Sequence, residues 1–93
     1  MNYIGDSIIG NHVNISGGTI IANYRLDKKP VYLKIKDEKV DTRLLKFGAI
    51  VGDNSNIGVN AVLNPGTILG KNSIVFPLTS VRGIHEESET IKQ

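Results

Sequence analysis

Two histidines, His12 and His85, are the side chains of this sequence whose ordinary titration lies nearest neutral pH. Either has the chemistry to take a proton from an attacking nucleophile. Two imidazoles fall short of the three that a catalytic zinc site built on histidine needs. No cysteine is present, which excludes disulfides, a thiolate metal site and an acyl-cysteine intermediate. The other chemical signal is charge. Arg25, Lys28, Lys29, Lys34, Lys36, Lys39, Arg43 and Lys46 stand against Asp27, Asp37, Glu38 and Asp41 within residues 25–46. Elsewhere the balance is slightly acidic, so the formal net charge of +2 hides a basic segment. Such a segment suits a phosphate or pyrophosphate ligand. A solvated, mixed-charge loop has the same composition. Nucleic acid fits less well, because few rings accompany the charges and no nucleic-acid motif is recognisable.

The elements that would carry these residues follow from a repeat. Aliphatic residues recur every six positions at Ile9, Ile15 and Ile21, then at Val51, Ile57, Leu63, Leu69, Val75 and Val81. Gly or another small residue mostly follows each. Four places on sits a small or β-branched residue, as at Val13, Thr19, Ser55, Ala61, Thr67, Ser73 and Thr79. A period of six suits neither a helix nor a plain strand. It suits a short strand and a tight corner, three sides making one 18-residue coil of a triangular prism. Gly52-Asp53-Asn54 and Gly70-Lys71-Asn72 read as corners, where φ is often positive. The expected fold is therefore all-β, a parallel β-helix of hexapeptide repeats with about three coils. Periodicity alone leaves its hand open. Ile4 and Ile9 are only five apart, which predicts a shortened corner near Ser7.

The length of 93 residues fits one domain, 1–93. Its core must come from Ile, Val and Leu, since aromatic residues make up 5%. No apolar run approaches a membrane span of ~18 residues, and no signal-peptide pattern is evident. A cytoplasmic location is the expectation, with neither membrane nor nucleic acid as partner. Residues 24–46 leave the register. Val31, Leu33 and Ile35 alternate with polar neighbours, Asp37-Glu38 reads as a turn, and Lys39-Val40 as the start of a return strand. This predicts a β-hairpin excursion. The acidic tail after Gly83 lacks the repeat and reads as a cap or a frayed end. So thin a prism gains from self-association, and a homotrimer is expected.

The stretch Tyr3-Ile4-Gly5-Asp6-Ser7, with Ile9-Gly10, Val13-Asn14, Gly18-Thr19-Ile20 and Asn23-Tyr24, resembles the C-terminal acetyltransferase domain of bifunctional sugar-1-phosphate nucleotidylyltransferases. Asn23, Arg25, Asp27 and Lys29, followed by a hairpin and Gly48-Ala49-Ile50-Val51-Gly52-Asp53, resemble its archaeal-type branch most. The resemblance covers about residues 3–83 and implies a left-handed coil. It also implies acetyl transfer from acetyl-CoA to a hexosamine-1-phosphate in nucleotide-sugar biosynthesis, with no metal required by this domain. Tyr3, Asn14 and Lys29 match acceptor-binding positions. Asn23, Tyr24, Val59 and Pro77 match positions along acetyl-CoA. The types suit the roles: a cation for the phosphate, a hydroxyl and an amide for sugar hydroxyls, an amide beside the thioester oxyanion. As bare repeat residues, Asn14 and Asn23 would instead serve corners, Tyr3 would cover the prism end, and Lys29 would be a solvated charge.

Attack by an amine needs a base. In the family a His lies three residues before the Tyr matched by Tyr3, a position immediately preceding Met1. His12 is the candidate within the chain, against the reading of a solvated corner residue. The nucleotidylyltransferase domain has no counterpart here and would be a separate domain or subunit. The competing reading is therefore a non-catalytic trimerisation module, or a truncated part of a longer enzyme. A hexapeptide-repeat carbonic anhydrase is the third, and it lacks its ligands.

Overall fold

A computed structural model describes residues 1–93, all of them in strands, turns and short connections. The first coil holds β1 (Tyr3–Ile4), β2 (Ile8–Ile9) and β3 (Asn14–Ile15). The second holds β4 (Ile20–Ile21), then the excursion with β5 (Val31–Ile35) and β6 (Glu38–Leu44), then β7 (Ala49–Val51) and β8 (Asn56–Ile57). The third holds β9 (Val62–Leu63), β10 (Thr67–Leu69) and β11 (Ile74–Val75). A fourth holds β12 (Ser80–Val81), β13 (Ile84–His85) and β14 (Thr90–Ile91). Three parallel four-stranded sheets result: β1-β4-β9-β12 on the first face, β2-β7-β10-β13 on the second, β3-β8-β11-β14 on the third. This is the left-handed parallel β-helix of the hexapeptide repeat. No helix is long and apolar enough to cross a membrane.

The inward register follows the repeat. Ile21, Val51, Ile57, Leu63, Leu69, Val75 and Val81 are almost wholly buried, and so are Thr19, Ser55, Ala61, Thr67, Ser73 and Thr79. Each buried hydroxyl answers to a backbone carbonyl. Thr67 Oγ1 donates to the Asn64 carbonyl at 2.6 Å and lies 3.2 Å from that of Val81, one coil on. Thr19 does the same with Ser16 and Gly58, at 2.8 and 3.2 Å. No buried side-chain polar atom lacks a partner. A hydroxyl in this narrow interior therefore costs little, since leaving it unpaired is what would cost about 1–3 kcal/mol.

The corners divide two tasks that the sequence merges. Positive φ falls at six-residue intervals on Asp6, His12 and Gly18, and on Asn54, Asn60, Gly66, Asn72 and Leu78. Asn tolerates that conformation better than most residues. The glycine after the aliphatic residue serves close approach instead: a Cβ on Gly58 would lie 2.5 Å from the Pro77 nitrogen of the next coil.

The coil count is four rather than about three. The tail after Gly83 completes the last coil, with Ile84–His85 paired to Ile68–Leu69 and Thr90–Ile91 to Ile74–Val75. Its sides shorten, with positive φ at Gly83 and Ser88. His85 takes the place in register with inward Leu69 and is half-buried. Its Nε2 lies 3.0 Å from the Arg82 carbonyl, and its Nδ1 meets the Glu89 carboxylate. The hairpin turn lies one residue earlier than expected. Ile35 pairs with Glu38, so Lys36-Asp37 form the two-residue loop, both with positive φ as a type I′ turn requires.

Candidate functional site

The corner between the first and second faces of the lowest two coils gathers the polar side chains. It is short by one residue, as the Ile4-to-Ile9 spacing predicts. Asp6 reaches positive φ two residues after β1, where the other corners of the first three coils take three. The Ser7 hydroxyl makes up part of the loss: it donates to the Gly5 carbonyl at 2.7 Å and accepts from the Ala49 N–H at 2.9 Å. Above this corner the second coil leaves the prism after Asn23 and returns at Phe47. Tyr24 bridges Lys46 to close the neck of the excursion. Phe47 N–H donates to the Asn23 carbonyl at 2.9 Å, and Gly48 N–H to the Asp6 carbonyl at 3.0 Å. Both legs of the excursion are thus tied to one short corner.

Three side chains meet there. The Tyr3 hydroxyl donates to Asn23 Oδ1 at 3.2 Å, and Asn23 Nδ2 donates to Asp6 Oδ2 at 2.6 Å. Asn23 lies flat across the corner: a Cβ on Gly5 would be 2.5 Å from its amide carbon. Tyr3 remains half exposed and Tyr24 nearly so.

Lys29 is held by its backbone. Asp27 Oδ1 accepts from the Lys29 N–H at 3.1 Å and from Arg25 Nε at 2.9 Å, while its second oxygen meets the Arg25 guanidinium. The Arg25 bond and the Lys29 N–H hold the Asp27 carboxyl below the ordinary carboxylate range. The same bond raises Arg25 further. The Tyr32 ring lies between two cations, with the Arg25 guanidinium 4.9 Å and the Lys39 ammonium 4.7 Å from its centre. Arg25, Lys29, Pro30, Tyr32, Lys39 and Asp41 line a shallow basic groove of about 310 Å³. Tyr24 and Tyr32, with Asn64, Pro65 and Arg82, line a larger groove between the excursion and the two upper coils.

Tyr3 and Asn23 therefore come together, and Tyr24 and Lys29 stand on the excursion that leaves from them. Asn14 sits elsewhere, exposed on the third face opposite Asn56. Val59 and Pro77 stack on the corner between the third and first faces, across the first face from Asn23. His12 is exposed on the corner between the second and third faces, at φ +56°. No three His, Cys, Asp or Glu side chains are gathered as a metal ion would need. The sequence reading passed over Asp6 as a site residue. It also passed over the Arg25–Asp27–Tyr32 set. The signal for Asp6 was the five-residue spacing, which marks the corner as unlike the others.

No protein-family model matches the chain. It is 48% identical to the bifunctional protein GlmU of Methanococcus vannielii over 75 residues, 81% of the chain and 18% of that relative. The GlmU of Methanococcus maripaludis (strain S2 / LL) is 39% identical over 94 residues, 100% of the chain and 23% of the relative. The bifunctional sugar-1-phosphate nucleotidylyltransferase/acetyltransferase of Sulfurisphaera tokodaii is 35% identical over 77 residues, 83% of the chain and 19% of the relative. The chain belongs to this family, in its C-terminal hexapeptide-repeat part. It spans about a fifth of the length of these curated relatives.

Proposed function

We propose that this chain is an acetyl-CoA-dependent N-acetyltransferase domain acting on a hexosamine-1-phosphate in nucleotide-sugar biosynthesis. The observation that carries this reading is the Tyr3–Asn23–Asp6 cluster at the root of an excursion that presents Lys29. Lys29 meets the sugar phosphate, and Tyr3 and Asn14 meet its hydroxyls. The Asn23 amide lies at the acetyl group, with Tyr24, Val59 and Pro77 along the coenzyme. The amine lone pair attacks the thioester carbon, forming a C–N bond and a tetrahedral oxyanion. The amide N–H steadies that oxyanion. The C–S bond then breaks, the amine gives up its proton, and the coenzyme leaves as a thiol. His12 is the first candidate for the base.

Within one chain these residues stand on separate sides of the prism, so the reading requires a homotrimer that brings them to shared grooves. Self-association has support in Ile8, Ile50, Ile68 and Ile84, stacked in register on the outward side of the second face. Of its two end residues, Ile8 is strongly exposed and Ile84 less so.

The test is acceptor-dependent release of coenzyme A thiol from acetyl-CoA, with glucosamine-1-phosphate and galactosamine-1-phosphate in turn. The absence of cysteine keeps thiol detection clean. Lys29→Ala removes a charge-assisted contact and should raise the acceptor KM about 10- to 100-fold while sparing the acetyl-CoA KM. A second reading is a non-catalytic trimerisation module of a longer or split nucleotidylyltransferase. One observation favours it: neither imidazole stands at the Tyr3–Asn23–Asp6 cluster. Assembled trimer that releases no thiol would sink the first reading and leave the second.

A further inference from the structure

Asp6 has no part in the chemistry described so far, yet it is the side chain that decides how Asn23 is oriented. An ionised carboxylate only accepts hydrogen bonds. Facing Asp6 Oδ2 at 2.6 Å, the Asn23 amide must therefore present its NH2 group, which turns its oxygen toward the Tyr3 hydroxyl. One of the two amide protons is used in this way. The other has no partner within the chain. We infer that Asp6 is a positioning residue, which locks the Asn23 amide with one N–H directed out of the corner toward the thioester oxygen.

Three further observations agree. The lock is backed from beneath, because the Asn23 side chain lies so close over Gly5 that a Cβ there would collide with it at 2.5 Å. It is tied to the acceptor side, because the Asp6 carbonyl receives the Gly48 N–H where the excursion closes. It also stands at the one shortened corner among the first three coils, where φ is +43° at Asp6. That geometry brings the carboxylate within reach of Asn23 on the next coil while the residue itself stays exposed. A preset amide matters for rate, since a donor aimed in advance at the oxyanion position is worth roughly 100- to 1,000-fold when removed. This inference rests on the acetyltransferase reading for its catalytic meaning, and on geometry alone for the lock.

Two substitutions separate positioning from other roles. Asp6→Gly removes the carboxylate and accepts positive φ without strain. Asp6→Asn tolerates the same backbone and keeps an acceptor oxygen, but it also offers an NH2 group, so Asn23 can face it either way round and only about half the molecules lose the productive orientation. Positioning predicts that Asp6→Gly lowers kcat about 10- to 100-fold with the acetyl-CoA KM nearly unchanged. It predicts that Asp6→Asn keeps activity within roughly threefold of wild type, well inside the loss expected for a misplaced group. An Asp6→Gly protein with wild-type kcat would overturn the inference. So would an Asp6→Asn protein as slow as Asp6→Gly, which would make the negative charge itself the requirement. Thermal melts report whether each variant folds.

A measurement on the wild-type chain needs neither variant to fold. The Asn23 side-chain amide, assigned by its disappearance in Asn23→Asp, should show two well-separated proton resonances, one of them slow to exchange with solvent. A pair at free-asparagine positions would overturn the lock. Wild-type trimer that lacks acetyl transfer would refute the proposed function instead, and the amide resonances would then decide the inference.

Discussion

Replacing Gly66 by alanine tests how the excursion is seated. Gly66 has φ +87°, and a Cβ there would lie 2.7 Å from the Tyr32 carbonyl oxygen and 3.2 Å from Val31 Cγ1. Val31 is fully buried at the start of β5. Gly83 is the natural control. It stands on the same corner one coil above Gly66 and has a similar φ of +83°, but nothing lies within 4 Å of its added Cβ. Gly83→Ala therefore meets backbone strain alone, about 1–2 kcal/mol. Gly66→Ala meets the same strain and must also push the hairpin backbone outward. Overpacking of that kind adds about 1–3 kcal/mol. The reduced entropy of the unfolded chain is common to both and cancels. Gly66→Ala should thus be less stable than Gly83→Ala by about 1–3 kcal/mol. The assay is urea denaturation of both variants at one protein concentration, because assembly links stability to concentration. The displaced hairpin should also raise the acceptor KM, since Lys29 rides on the same excursion. Equal stabilities within about 0.5 kcal/mol would refute the reasoning, for the hairpin would then not rest on Gly66.

Leu63→Ala empties the centre of the first face, where Leu63 is fully buried between Ile21 and Val81, and should cost about 3–5 kcal/mol in the same denaturation assay. Thr67→Val keeps the shape and strips one donor from the Asn64 and Val81 carbonyls, which still accept from the Thr67 and Asn64 backbone N–H groups, so a loss of about 0.5–1.5 kcal/mol is expected; a loss above about 3 kcal/mol would mean that the hydroxyl is their main donor. The Asp27 carboxyl is held below 3.8 by Arg25 and the Lys29 N–H. A depressed carboxylate contributes stability above its ordinary value and loses it as pH falls through the lower folded value. The Arg25–Asp27 clasp should thus be intact at about pH 5 and open only below the ordinary Asp range of about 3.9. A carboxyl-carbon titration with a midpoint in or above that range would contradict it.

Much of the prism was legible because the physics of a triangular coil is local. An inward aliphatic recurs every six places from Val51 to Val75, a small or hydroxyl residue stands four places after each, and both sets are buried. The last coil was not legible. His85 stands in register with Leu69, and the corners at Gly83 and Ser88 shorten the sides, so the aliphatic phase vanishes while the backbone pairing continues. The end of a prism has no further coil to cover it, so a polar ring bonded to Glu89 and the Arg82 carbonyl is tolerated there.

By itself, then, the sequence determined the repeat, the buried positions, the interruption at 24–46 and the basic character of that interruption. It also held the family resemblance in Tyr3, Asn14, Asn23 and Lys29. Only the tertiary structure decided which of these residues meet. Tyr3, Asp6 and Asn23 converge because an 18-residue coil stacks positions about one turn apart. Asn14, Val59, Pro77 and His12 diverge because the same coil turns through three faces. Spacing along the chain sets which face a residue occupies. Hydrogen bonds between coils, and a corner shortened by one residue, set which side chains touch.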